Sequence, residues 1–267
     1  MIKICTIDLD GTLFDKNKNI SEANKLAIKM AKDRGTKIVI ASGRPFCGVY
    51  PVLKELNLTT PDDYVICYNG AKILNVGTGE EIFRCGLDGS DLVKIYQTSL
   101  MFNSFCHAFT HDEKLICSKK NPYTDVESRI NKIEPIYCDF STLSPNNYLK
   151  IMIVDNKDKL DHIEAHIDPY FFNTYSMVRS SDIFLEFLNK TTDKGKALER
   201  LCEYLNISMS DSMAIGDAGN DLNMILKAKV GVAMENAFPY VKKAANFITL
   251  DNENSGVAYA IDKYILS

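Results

Sequence analysis

Three apolar runs in the first seventy residues each end at a polar turn. Residues 2–8 run into Asp8-Leu9-Asp10-Gly11, residues 37–41 into Ser42-Gly43-Arg44-Pro45, and residues 63–68 into Asn69-Gly70. Short runs that are apolar throughout predict strands buried on both faces, the mark of a parallel sheet. Between the first two, Ala23, Leu26, Ala27, Met30 and Ala31 recur at helical spacing, after Ser21 as an N-cap and before Gly35 as a stop. Residues 46–57 suit a second helix. The unit repeated is strand, helix, strand, which predicts an α/β core.

After the Gly77-Thr78-Gly79 turn the rhythm changes. Residues 105–110, 115–118, 148–154 and 183–188 read as strands, and 90–101 and 157–167 as helices, without a regular parallel alternation. The last third returns to the first pattern, with a helix over 194–205, a strand over 212–215, a helix over 220–228 and a short strand over 230–233. The expected fold is a Rossmann-like, doubly wound parallel sheet formed by 1–83 and 189–267, with an α+β domain inserted at 84–188.

Composition narrows the class. Hydrophobic residues at 46% of 267 are enough to fill a core of that size, so disorder is excluded. A net charge of −4 without a long basic run leaves no footprint for nucleic acid. No apolar run approaches the ~18 residues of a membrane span. Asp8 interrupts the first apolar run before a signal-peptide core could form, so a cytoplasmic protein is expected. The eight cysteines are scattered singly, several inside apolar runs, and read as reduced structural thiols.

In an open α/β sheet, ligands bind beyond the carboxyl ends of the strands. Four polar clusters are predicted there: Asp8 to Thr12, Ser42 to Arg44, Thr192 to Gly195 at a helix start, and Gly216 to Asp221. Several carboxylates gathered in one place repel unless a cation sits among them or a proton is taken up. Hard oxygen donors with room for phosphate and water favour Mg²⁺, with Asp8, Asp10 and Asp217 as candidates. One carboxylate could then attack phosphorus and form an aspartyl-phosphate. The Ser42 hydroxyl, the Gly43 amide and the Lys194 ammonium could hold the phosphoryl oxygens. Asp10 could protonate the leaving alkoxide and later deprotonate water.

Asp8-Leu9-Asp10-Gly11-Thr12-Leu13 resembles the first motif of the haloacid dehalogenase superfamily. Ser42 in ASGR, Lys194 in DKGKAL, and Asp217 with Asp221 in GDAGNDLNMI resemble the second, third and fourth. Their order and spacing, with Asn69-Gly70-Ala71 and Gly231-Val232-Ala233-Met234, are similar to the Cof-type hydrolases. Those enzymes carry an α+β cap of the class IIB type between motifs two and three. The resemblance implies Asp8 as nucleophile, Asp10 as general acid and base, and Mg²⁺ on Asp8, the Asp10 carbonyl and Asp217. It implies phosphate contacts from the Leu9 amide, Ser42, Gly43, Lys194 and Asn220, with Thr12, Arg44 and Asp221 supporting them. The implied activity is hydrolysis of a small phosphorylated metabolite, sugar phosphates first. The chain departs from the family pattern at Ala218, at Glu235-Asn236 and at Asn189-Lys190, none of which is a proposed ligand.

Blander readings compete residue by residue. Asp10-Gly11 alone would be a turn, Ser42 a cap, and Lys194 a solvated first-turn lysine. His107 and His111 lie in an expected strand, ~13 Å apart, too far for one ion. His162 and His166 suit one helix face but lack the zinc-protease pattern. The cap charges Arg129, Arg179, Lys119 and Lys120 read as solvated, and Tyr123, Phe171 and Phe172 as core. A phosphomutase, or a weakly catalytic binding protein on the same fold, are the alternative functions. Oligomeric state is not legible in this sequence.

Overall fold

The computed structural model describes residues 1–141 and 147–267. By their contacts these form two compact units. One comprises Met1–Gly43, Val49–Arg84 and Asp193–Ser267, and the other Arg44–Gly48 and Cys85–Thr192.

The first unit is built on an eight-stranded sheet. Its order is Phe247–Ile248, Val230–Ala233, Ser212–Gly216, Ile4–Ile7, Lys37–Ala41, Tyr64–Cys67, Lys72–Asn75 and Glu81–Arg84. The first six are parallel. Ile4–Ile7 and Ser212–Gly216 are buried at every position, which is why they read as unbroken apolar runs. Register fixes where the chain leaves the sheet: Ile7 lies opposite both Ile215 and Ile40, so Asp8, Ser42 and Asp217 emerge along one edge.

Helices follow the strands as the spacing predicts. Glu22–Asp33 starts on Ser21, whose hydroxyl accepts from the Asn24 amide, and stops before Gly35 at φ +89°. Lys194–Tyr204 starts on Asp193, whose carboxylate accepts from the Lys196 amide. This helix packs Ala197, Leu198 and Leu201 into a core with Ile4, Val39, Ile66 and Ala214. The last two strands, Lys72–Asn75 and Glu81–Arg84, form an antiparallel hairpin that extends the sheet.

The second unit has a six-stranded, mostly antiparallel sheet. Its order is Tyr175–Ser181, Phe184–Asn189, Tyr148–Val154, Phe105–Thr110, Leu115–Cys117 and Ile136–Tyr137. Helices Gly89–Met101 and Lys157–His166 bury Leu92, Ile95, Leu160 and Ile163 against it. Helix Pro122–Asn131, absent from the sequence reading, presents buried Thr124, Glu127 and Asn131 instead of an apolar stripe. Phe171 is core, but Phe172 is 45% exposed, because the short helix Pro169–Thr174 turns adjacent residues to different sides. Five of the eight free cysteines are buried; Cys47 is exposed. Among the described residues no helix is long and apolar enough to cross a membrane.

Candidate active site

The strand ends of the first unit bring together residues that lie up to 213 positions apart. Asp8, one residue past its strand, is buried, and its amide donates to the Ile215 carbonyl at 3.0 Å. Gly11 turns the chain at φ +85° and passes so close to Asp217 that a Cβ there would sit 2.5 Å from its Oδ2. The Thr12 hydroxyl donates to Asp217 Oδ1 at 2.7 Å. Asp8, Asp217 and Asp221 each offer an oxygen within 4.8 Å of the others.

Lys194 is not the solvated lysine that its position at a helix start suggests. It is fully buried, and its Nζ donates to Asp8 Oδ1 at 2.5 Å and to Asp221 Oδ1 at 2.7 Å. Asp221 uses its other oxygen to accept from the Asp217 and Ala218 amides, each at 3.0 Å. Both of its oxygens are therefore engaged, and Asp221 serves to anchor lysine and loop. Asp8 Oδ2 takes no hydrogen bond from the described residues.

Three carboxylates share one ammonium, and proton affinities reflect that imbalance. Burial raises Asp8 well above the ordinary carboxylate range, and Asp221 and Asp217 add to it while Lys194 opposes it. Asp217 is raised to about 6 by burial and then by Asp221, with the Thr12 hydrogen bond working against the shift. Burial works against the charge on Lys194, but Asp221 and Asp8 outweigh it and keep the amine protonated. A site of hard oxygens with surplus negative charge fits a divalent cation held by Asp8 and Asp217.

Asp10 stands differently. Its side chain is 41% exposed and paired with Lys18 at 2.6 Å, out of the buried carboxylate group. Ser42 is buried; its amide donates to the Ile66 carbonyl, and its own carbonyl accepts from the Asn69 amide. Gly43 lies against the Asn69 side chain, and Asn220 Nδ2 donates to Asn69 Oδ1 at 3.0 Å. Leu9 is buried and its carbonyl accepts from the Phe14 amide. Arg44 belongs by its contacts to the second unit, where its charge acts on buried Glu127.

Several participants went unnamed as site residues in the sequence reading. Asn69 stands in the sequence as part of an Asn-Gly turn and of a segment similar to the Cof-type hydrolases, without a role in the site. Asn236 Nδ2 donates to the Gly11 carbonyl at 2.8 Å, Asn252 Nδ2 to the Phe14 carbonyl, and the Asn252 amide to Asn236 Oδ1. These two side chains clamp the Asp8 loop from the far end of the chain, and no local spacing reports that. The histidine pairs hold no metal geometry: His107 is buried against Thr124 and Met152, while His166 Nδ1 donates to the His162 carbonyl. Asp8, Asp217 and Asp221 form the metal-compatible group found among the described residues.

The model of the haloacid dehalogenase-like hydrolase family matches residues 5–261. The chain belongs to that family. "Putative phosphatase YxeH" of Bacillus subtilis is 37% identical over the full length of both chains. A crystal structure of a haloacid dehalogenase-like hydrolase from Bacteroides thetaiotaomicron is 32% identical, with a TM-score of 0.88 over 98% of this chain and 99% of that one. The 5-amino-6-(5-phospho-D-ribitylamino)uracil phosphatase YwtE of Bacillus subtilis is 29% identical over 99% of this chain and 98% of its own. The chain is thus an enzyme of the phosphatase class, on the α/β fold of haloacid dehalogenase hydrolases with a cap.

Proposed function

We propose that this haloacid dehalogenase hydrolase is a Mg²⁺-dependent phosphomonoesterase acting on small phosphorylated metabolites through an aspartyl-phosphate on Asp8. The observation that carries the reading is the buried Asp8 carboxylate, one oxygen held by Lys194 and the other without a hydrogen bond from the described residues. Lys194 orients the carboxylate and leaves Oδ2 as the attacking atom. Attack forms a bond from Oδ2 to phosphorus and breaks the ester bond, whose alkoxide takes the proton of Asp10. Asp10, now ionised, accepts a proton from water; the water oxygen bonds to phosphorus, the acyl-phosphate bond breaks, and phosphate leaves.

Asp8, Asp217 and the Asp10 carbonyl would hold Mg²⁺, which when bound offsets the negative charge shared by carboxylate and phosphoryl oxygens. Ser42, the Leu9 and Gly43 amides, Lys194 and Asn220 would bind those oxygens, with Thr12, Asp221 and Arg44 in support. Residues 84–188 serve as the cap that selects the leaving group. Sugar phosphates are the favoured substrates, on the resemblance to Cof-type hydrolases. A flavin-precursor phosphate is the second reading, favoured by the relative named for that activity.

The test is phosphate release from a panel of sugar, nucleotide and cofactor phosphates, with Mg²⁺ and with EDTA, beside Asp8→Asn. Mg²⁺-dependent release that vanishes in the variant is expected. Activity retained by Asp8→Asn removes the nucleophile assignment, and activity unaffected by EDTA removes the metal. Isomerised product without released phosphate would turn the reading to a mutase.

A further inference from the structure

The segment joining strand Tyr64–Cys67 to strand Lys72–Asn75 does something found nowhere else among the described residues. Tyr68, Asn69 and Gly70 take positive φ in succession, at 51°, 53° and 99°. Glycine does this freely and asparagine tolerates it, but a tyrosine in that region is a steric outlier. All three residues are buried. Such strain persists only where the surroundings enforce it, and such positions cluster at functional sites.

The enforced conformation delivers the Asn69 side chain to a specific place. Its backbone amide is tied to the Ser42 carbonyl at 3.0 Å, and a Cβ on Gly43 would lie 3.0 Å from Asn69 Nδ2. On the neighbouring side Gly70 runs so close to Asp193 that a Cβ would meet its carbonyl oxygen at 2.5 Å. Asn69 thereby joins two of the polar clusters, its Oδ1 accepting from Asn220 Nδ2 at 3.0 Å, while its neighbour Gly70 lies against a third.

An asparagine amide is nearly symmetric in shape and opposite in polarity at its two ends. A phosphoryl oxygen accepts hydrogen bonds only, so Asn220 is useful to it in one of two flip states. With Asn69 held in this orientation, rotating the Asn220 amide alone would set Asn220 Oδ1 against Asn69 Oδ1, two acceptors facing each other without a proton between them. We propose that Asn69 is a positioning residue. It accepts one Asn220 N–H and so locks the amide with its NH₂ group, carrying a second N–H, available to phosphate. This rests on the reading of Asn220 as a phosphate contact under the proposed function.

A double-mutant cycle on the full-length enzyme tests it, with inorganic phosphate as competitive inhibitor and thermal unfolding measured beside it. Asn69→Gly removes the acceptor and keeps the left-handed backbone unstrained; Asn69→Asp keeps an acceptor there. Asn220→Ala in the native background should raise the phosphate inhibition constant about 10-fold, the scale of one charge-assisted hydrogen bond. Asn69→Gly should raise it several-fold, and adding Asn220→Ala to Asn69→Gly should raise it less than about twofold more. In the Asn69→Asp background the Asn220→Ala effect should return to about 10-fold, because the orientation is again enforced.

Independent, multiplying effects of Asn69→Gly and Asn220→Ala overturn the proposal. So does an unchanged inhibition constant in Asn69→Gly, including the case where only the melting temperature falls. If Asn220→Ala itself leaves phosphate inhibition unchanged, the phosphate-contact reading of Asn220 is refuted and this inference with it.

Discussion

Replacing Lys194 by methionine strips the ammonium that bridges a buried pair of carboxylates, and the size of the effect follows from the contacts. Nζ lies 2.5 Å from Asp8 and 2.7 Å from Asp221, with Lys194 and Asp221 fully buried and Asp8 nearly so. At an effective dielectric of about 20, each contact contributes about 6 kcal/mol of attraction. Desolvating the ammonium and carboxylates takes back several kcal/mol per ion, so the net value of the triad against an apolar replacement is small. Removing only the lysine is another matter, since two buried carboxylates then face each other unpaired.

The expected loss is roughly 3–5 kcal/mol, or about 10 °C in melting temperature for a chain of this size. Asp8 already binds its proton more tightly in the folded state than in water, and losing Lys194 strengthens that preference. A carboxyl with a raised folded pKa stabilises below its unfolded pKa, and that stability is lost as pH rises through the folded value. The deficit of Lys194→Met should therefore be larger at pH 8 than at pH 5. Adding Asp221→Asn should recover part of it by removing one unpaired charge. Thermal unfolding of the single and double variants at both pH values is the assay. A shift under ~2 °C, or a double variant no better than the single, refutes the reasoning.

Three further outcomes are expected. Gly11→Ala should weaken divalent-cation binding, measured by calorimetry, by about 10-fold or more; its Cβ would press on Asp217 and its φ is +85°. Unaltered affinity would mean that Asp217 can move aside freely. His107, held to about 3 by burial and then by Lys150, stays neutral in the fold but charges near its ordinary 6.5 when unfolded. Its contribution to stability is full above pH 6.5 and is lost toward pH 3 at up to ~1.4 kcal/mol per pH unit; His107→Gln should flatten the acid limb of a stability profile. Asn252→Ala should lower activity with little change in global stability, because it removes the Nδ2 donor to the Phe14 carbonyl beside the Asp8 loop while leaving the backbone amide's bond to Asn236 in place. Equal loss of both would make it a folding residue.

The parallel core was legible because buried strands leave unbroken apolar runs and each ends at an abrupt polar turn. Asp8, Ser42 and Asp217 lie on those turns, so their placement along one edge followed once the strands were ordered, while Lys194 stands at a helix start. The hairpin Lys72–Asn75 and Glu81–Arg84 was not read, since each strand holds only two apolar residues between polar ones, neither an unbroken apolar run nor long enough to show alternation. Helix Pro122–Asn131 hid for a different reason: its buried face is Thr124, Glu127 and Asn131, although Asn121 followed by Pro122 is a sound start signal. Asn69, Asn236 and Asn252 act through partners far along the chain, and a lone asparagine announces nothing about what it will meet. The burial of Lys194 belongs to the same class, because a lysine at a helix start looks solvated until its two carboxylates are in place.

The central position of strand Ile4–Ile7 bears on how the chain is made. It pairs on one side with Lys37–Ala41, synthesised soon after it, and on the other with Ser212–Gly216, which emerges some two hundred residues later. The segment Cys85–Thr192 is continuous and can complete its own sheet during that interval. The N-terminal strands must meanwhile wait with an apolar edge unpaired, the kind of edge that invites association with another chain. A nascent chain that has emerged from the ribosome as far as residue 205 would thus carry one finished unit and one sticky half-sheet. Exposure to aggregation should peak over that stretch of synthesis and end when Ser212–Gly216 docks.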